Sequence, residues 1–243
     1  MIKIFNKIRQ KLLVENKFTK YLIYAIGEIV LVVIGILIAL SINNANDVKN
    51  QRKKELTLLT EMRQNLQIDL KDLDYNIKES AERIQANEII LKALQERAPM
   101  HDSLKPYYGN IIGNFQLSNN TAAWENLKSV GMDLVSNDSL RNAISNLYTV
   151  KYNYLENVTK GVDDGHQWNT LYPQFLDLIN VEQFFVSAEP ISHEALMDNR
   201  KFQETLKMNL FIRNHMLNQY KMVNKDVNSV LYQIERHILM LNN

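Results

Sequence analysis

The sequence predicts an all-α protein, an N-terminal transmembrane helix continuing into an elongated antiparallel helical-bundle domain. Residues 21–42, YLIYAIGEIVLVVIGILIALSI, form a 22-residue stretch with one charge, Glu28. Only 7 Gly and 4 Pro occur in 243 residues, too few turn formers for a sheet-rich chain. After that stretch, apolar residues recur at three- and four-residue spacing along two long segments, the period of a helix with one buried face.

Residues 1–20 come first as a basic tail. They carry six Lys/Arg against Glu15, and Ile4, Phe5, Ile8, Leu12 and Leu13 recur at helical spacing beside Lys3, Lys7 and Lys11. Such a pattern suits an amphipathic helix on an anionic lipid surface; the plainer reading is a basic flank that is helical because its neighbour is.

Residues 21–42 follow as the span. A helix needs about 20 largely apolar residues to cross a bilayer core of ~30 Å. The uncharged part from Ile29 to Ile42 is too short alone, so Glu28 enters the membrane or its edge. A buried core helix is the rival, but so long a run that is apolar all round favours lipid. The run also exceeds the 7–15 residues of a cleavable signal's apolar region, which makes it an uncleaved signal anchor. Five Lys/Arg before it (Lys7, Arg9, Lys11, Lys17, Lys20) face four after it (Lys49, Arg52, Lys53, Lys54), favouring a cytoplasmic N-terminus. That orientation places the protein in the inner (cytoplasmic) membrane, with residues 43–243 periplasmic.

Those residues are the predicted helical-bundle domain. No Pro or Gly appears from Asn43 to Ala98, which gives one helix ~80 Å long over residues 44–98. Leu66, Leu73 and Leu94 alternate with Leu70, Ile77, Ile84 and Leu91 along one seam, interrupted at Ser80 and Asn87. Residues 99–120 contain Pro106, Gly109 and Gly113 and read as a loop. A short helix follows to Val130, capped by Asn120 or Thr121, with Trp124 and Leu127 inward and Gly131 as its stop. The next is capped by Ser136 or Asn137, carries Leu140, Ile144, Leu147, Tyr154 and Val158 on its apolar face, and ends at Gly161. Residues 162–190 read as irregular, broken by Pro173 and Pro190. From about Asn199 a last helix over 200–242, ~65 Å long, runs antiparallel to the first.

Composition excludes several functions. The chain has no cysteine, hence no disulfide, thiolate zinc site or Cys nucleophile. Its net charge is +1, but residues 43–243 hold 22 Lys/Arg against 25 Asp/Glu, with no basic excess for nucleic acid. No G-x-S-x-G, phosphate-cradling Gly loop or H-E-x-x-H is present. Neither catalysis nor a cofactor is expected.

Two passages carry a family resemblance: ENKFTKYLIYAIGEIVLVVIGILIALSINN at residues 15–44 and TAAWENLKSVGMDLVSNDSLRNAISNLY at residues 121–148. Together they resemble uncharacterised single-span envelope proteins of Bacteroidetes-type bacteria, grouped as a domain of unknown function. The chain departs from that pattern at Val130, where a small residue is commoner, and at residues 41–45, where a Trp often follows the Asn pair. The resemblance implies membership over most of the chain and supplies no activity, substrate or site residue.

Glu28 is the foremost candidate for function. A carboxylate within a span costs several kcal/mol unless paired, hydrated or neutral. Gly35, seven residues on, shares its face, and Gly35 with Ala39 forms a small-xxx-small pair that lets helices approach. An oligomer seam would gather the Glu28 side chains; alternatively Glu28 reaches headgroups or a tail lysine. Asp163, Asp164 and His166 could hold a metal, but His193, His215 and His237 show no spacing that completes a ligand set, so a turn is the simpler reading. Arg213 and His237 fall on the apolar stripe of the last helix, where a satisfied buried polar pair is expected. Ser192-His193-Glu194 reads as a helix cap after Pro190. Tyr107, Tyr108, Tyr148, Tyr152 and Tyr154 either pack or line a groove.

The resulting expectation is an interaction or scaffold protein held in a lipid bilayer, a homo-oligomer or the partner of another envelope protein, the span and the seam over residues 66–94 driving self-association. A sensory ectodomain that binds a small ligand and signals through a partner is the alternative.

Overall fold

The computed structural model describes residues 18–242. The basic tail expected over residues 1–20 lies outside them except for its last three residues, which begin the first helix. The boundary between two compact units falls between Lys54 and Glu55.

Helix α1, Phe18–Gln95, is one uninterrupted element. It holds an apolar window long enough to cross a membrane, none of it buried within the protein. Residues 41–54 are exposed all round, and that stretch is rich in Asn, Lys and Arg.

In the second unit α1 is joined by α2 (Lys105–Gly109), α3 (Ala122–Val130) and α4 (residues 138–178). A hairpin of β1 (Ile179–Gln183) and β2 (Ser187–Pro190), α5 (His193–Asp198) and α6 (Arg200–Asn242) complete it. Its framework is three long helices. Glu55 meets His237, Asp74 meets Asn224 and Asn87 meets Asn209, so α6 runs antiparallel to α1. Lys151 meets Asp226 and Gln174 meets Thr205, so α6 is antiparallel to α4 as well. Residues 110–121 return along α1 as an irregular strap, pinned where Asn87 donates to Ile111 O, Asn76 donates to Gln116 O and the Ser118 N–H donates to Asp72.

Caps follow the sequence closely. Gly131 ends α3 at φ 106°, Asn137 caps α4 by accepting from the Leu140 N–H, and Asn199 accepts from the Phe202 N–H before α6. Trp124 and Leu127 face inward. Gly109 lets α2 lie against β2, since a Cβ there would come within 2.7 Å of the Ser187 nitrogen.

All-α architecture holds, with three corrections. First, the seam of α1 is not a free surface. Its inward columns are Glu55, Met62, Asp69, Asn76, Arg83 and Ile90, and Leu59, Leu66, Leu73, Ser80, Asn87 and Leu94, all buried in the chain's own core. Leu70, Ile77 and Ile84, taken from the sequence as half of the seam, are only partly buried; the column beside them is inward although four of its six members are polar. The part of the self-association proposal that rested on residues 66–94 therefore fails, because α4 and α6 already cover that face.

Second, α4 does not end at Gly161, and residues 162–190 are not irregular. The helix continues to Leu178, with π-helical turns at Leu147–Tyr152, Thr159–Asp163 and Gln167–Leu171, and the hairpin follows. One Gly costs a helix about 1 kcal/mol, less than the packing that continues it. Pro173 opens the last α-helical stretch directly after a π turn, where one more missing i→i−4 bond is tolerated. Third, Tyr154 points outward and Val158 is only partly buried, while Tyr152 and Leu155 take the inward positions.

Leu73→Ala, at a fully buried position, is expected to lower stability by about 2–5 kcal/mol. Ile68→Ala, at a position 52% exposed, should change it by under about 0.5 kcal/mol. Urea denaturation of the detergent-solubilised chain, followed by circular dichroism, separates the two; equal effects would contradict the inward columns.

Candidate functional site

Two apolar clusters make up the core. One joins Leu58 to Leu73 of α1 with α3, the first half of α4 and the second half of α6. The other joins Ala86 to Leu94 with α2, the end of α4, the hairpin and the start of α6. Between them lies a stratum of buried polar side chains: Asn76, Ser80, Arg83 and Asn87 from α1, Thr159, Asp163 and Gln167 from α4, Asn209 and Arg213 from α6. The breaks at Ser80 and Asn87 are where this stratum crosses the seam.

At one side Asn209 is the hub. It donates to Asn87 at 3.0 Å and to Ile111 O at 2.9 Å, and accepts from Gln167 at 2.8 Å. Gln167 in turn accepts from the Gly113 N–H at 3.0 Å. Three helices and the strap thus share one network in which each amide is satisfied. At the other side Arg213 forms an ion pair with Asp163, both side chains fully buried. Burial pushes the Arg213 guanidinium down to about 10, which leaves it charged at neutral pH. Beyond that pair, neither group has a hydrogen-bond partner among the described residues. Arg83 bonds Asn110 at 3.1 Å, lies 3.6 Å from Glu79 and sits beneath the rings of Phe115 and Phe185.

The geometry of α4 explains how Thr159, Asp163 and Gln167 face one way. From Leu155 to Ile179 every fourth residue is buried. In a regular α-helix a four-residue step drifts about 40°, so the helical part of this stripe, Leu155 to Phe175, would turn about 200° around the axis. The two π turns within it each absorb about one residue, or 100°, and keep the row inward. Unbroken spacing of four was the signal in the sequence; it was missed because its middle members are polar.

Two further buried carboxylates pin loops to α1. Asp69 accepts from the Asn120 N–H at 2.8 Å and from Tyr152 Oη at 2.7 Å. Burial pushes it up to about 6, against the lowering effect of those two hydrogen bonds, and Asp72 adds to the rise. Glu55 accepts from the Ser136 N–H at 2.7 Å, Ser136 Oγ at 3.0 Å and His237 Nε2 at 2.8 Å.

The other predicted positions separate. Asp163 pairs with Arg213, while Asp164 accepts from Asn114 and Gln116, so the acidic pair of residues 163–164 diverges. Among the described residues no group of three or more His, Asp and Glu side chains is placed to hold a metal. Arg213 and His237 are both buried, each with its own carboxylate rather than with the other. Ser192 caps α5 by accepting from the Ala195 N–H, and His193 bridges Tyr108 Oη and Ala98 O. Tyr108, Tyr148 and Tyr152 are core residues, Tyr148 stacked on Trp124 at 5.1 Å; Tyr154 is exposed. Glu28 is partly exposed, Gly35 and Ala39 are exposed, and a Cβ at Gly35 would meet no atom within 4 Å.

Residues 28–167 match DUF6090, a family of unknown function. The chain belongs to that family. The match contains the whole second passage singled out in the sequence, most of α1 and α4 as far as Gln167. Thus DUF6090 takes in every α1 and α4 member of the polar stratum, and Asn209 and Arg213 of α6 lie beyond it. No curated protein and no solved structure matches the chain.

Two expected outcomes follow from this chemistry. Arg213→Met leaves Asp163 as a buried unpaired charge and should cost about 3–5 kcal/mol, with the double variant Arg213→Met, Asp163→Leu recovering most of it; a double-mutant cycle in urea measures the coupling. For Asp69 the folded value lies above the ordinary 3.8, so the folded state holds a proton that the unfolded state has lost. Its contribution is present below pH ~4 and declines as pH rises to ~6. Asp69→Asn removes that slope. Melting curves between pH 4 and pH 7 should therefore diverge from wild type with increasing pH, the variant becoming relatively more stable.

Proposed function

We propose that this DUF6090 protein is a single-pass, membrane-anchored helical interaction module of the bacterial envelope, with no catalytic activity of its own. The observation that carries this reading is the apolar window of α1. None of it is buried by the protein, and so many exposed Ile, Leu and Val side chains need lipid or another helix around them. Charge on the flanks favours a cytoplasmic N-terminus in the inner membrane, with the unit from Glu55 onwards in the periplasm.

Self-association in this reading rests on the face of Glu28, Gly35 and Ala39. Open space at Gly35 suits close approach by a second copy, and an intramembrane carboxylate is least costly against protein or water. The surface of the second unit offers a partner side chains common at interfaces, among them Trp168, Phe184 and Phe211, each at least half exposed.

Crosslinking in native membranes tests the assembly. Wild-type protein should give covalent dimers or larger species, and Glu28→Gln should reduce their yield several-fold. An absence of multimers, or an unchanged yield in the variant, would sink the oligomer. Recovery of the full chain in the supernatant after high-speed centrifugation without detergent would sink the anchor itself.

A further inference from the structure

Between the strap and α4 a cavity of about 140 Å³ opens, lined by Gln116 and Asn119 on one side and by Glu156, Thr159 and Lys160 on the other. A ridge of α4 leads away from it along the strap. Lys160, Asp164, Trp168 and Tyr172 follow the same four-residue spacing as the inward row beside them, and the π turns that hold that row in line hold this one too. Asp164 ties the ridge to the strap, accepting from Asn114 on one oxygen and from Gln116, at 2.9 Å, on the other. Trp168 lies flat on Tyr172, ring centroids 4.6 Å apart and planes within 9°, yet it stays 62% exposed. An indole held by one face, with that much of the residue in solvent, presents its other face outward.

The chemistry along this strip selects the ligand. Lys160 forms an ion pair with Glu156 and Asp164 adds a negative charge, so the strip offers little to a phosphate, a carboxylate or a nucleic-acid backbone. An extended peptide would need backbone groups to pair with, but the strap's Gly113, Ser118 and Asn120 N–H groups already donate to Gln167, Asp72 and Asp69. What remains is an open aromatic face beside amides and carboxylate lone pairs. Each Asp164 oxygen takes one N–H and keeps capacity for a second donor. A sugar ring meets both requirements: its C–H face packs on the indole, and its hydroxyls, donors and acceptors at once, bond to carboxylate, amide and ammonium. The helix from Lys160 to Trp168 spans about 12 Å, room for an oligosaccharide rather than a single ring.

We propose that the groove between the strap and α4 binds a neutral oligosaccharide, stacked on Trp168 and hydrogen-bonded at Asp164 and in the cavity beside Asn119 and Glu156. The site rests on neither membrane anchoring nor self-association, so the test of one leaves the other standing. It gives the second unit a ligand, and Trp168 a use other than protein contact.

Isothermal titration of the full chain, in a detergent without a sugar headgroup, uses cellotetraose, maltotetraose and chitotetraose as probes, with acetyl-tetraalanine amide as the peptide control. Saturable binding of at least one tetrasaccharide is expected, and the one bound most tightly names the class of glycan. Trp168→Ala and Gln116→Ala, both at exposed positions, should weaken it, the first at least tenfold and the second several-fold, while the melting temperature without ligand stays within a degree or two. Phe211→Ala, at a residue 70% exposed on α6, should leave the affinity unchanged. Absence of binding by all three sugars at millimolar concentration, equal or tighter binding of the peptide, no effect of Trp168→Ala, or an equal loss in Phe211→Ala would overturn the proposal.

Discussion

The second unit depends on keeping one polar layer paired in the middle of an otherwise apolar bundle. Asp163 and Arg213 are fully buried, and desolvating two charges costs more than a surface pair can return. Both must therefore stay in contact whenever the helices pack. That requirement reaches into the backbone, because Asp163 faces Arg213 only if α4 stays in phase from Leu155 to Phe175, and α4 stays in phase only with its π turns. A local departure from ideal helix geometry and a buried ion pair are thus one feature seen at two scales.

The same layer sorts the rest of the core. On either side of it the two apolar clusters are built from different partners: α3 closes the first, while α2, α5 and the hairpin close the second. The strap of residues 110–121 spans both and is held by polar contacts from α1, at Asn87, Asn76, Asp72 and Asp69. Because it has no regular structure of its own, its backbone groups rely on those side chains. Polar residues on the inward face of α1 are therefore part of the fold's construction rather than interruptions of it.

This explains what could be read from the sequence. Long helices, caps and stops were legible: Gly131, Asn137 and Asn199 act locally, and α6 has an apolar column at nearly every seventh residue. The inward face of α1 was misplaced by one residue, since Leu70, Ile77 and Ile84 look more like core than Asp69, Asn76 and Arg83 do. Which carboxylate serves which basic side chain was not legible, because Asp163 with Arg213 and Glu55 with His237 are pairs distant in sequence. Nor was α4 beyond Gly161, where Gly and Pro outweigh a row whose period of four fits neither an α-helix nor a strand.

Seven-residue columns alone leave a bundle's register ambiguous, since sliding α6 along α1 by one repeat still sets apolar residues against apolar residues. Polar side chains remove the ambiguity. In the observed register Asn209 meets Asn87 and His237 meets Glu55. A slide of seven residues one way would put Asn209 near Leu94, and a slide the other way near Ser80; either would leave Glu55 without the imidazole and Asp163 without the guanidinium. Each misplaced group would be buried and unmet, at about 1–3 kcal/mol for a neutral group and more for a charge. Apolar columns supply the drive to associate, and the polar layers select the one alignment in which all of it can be used.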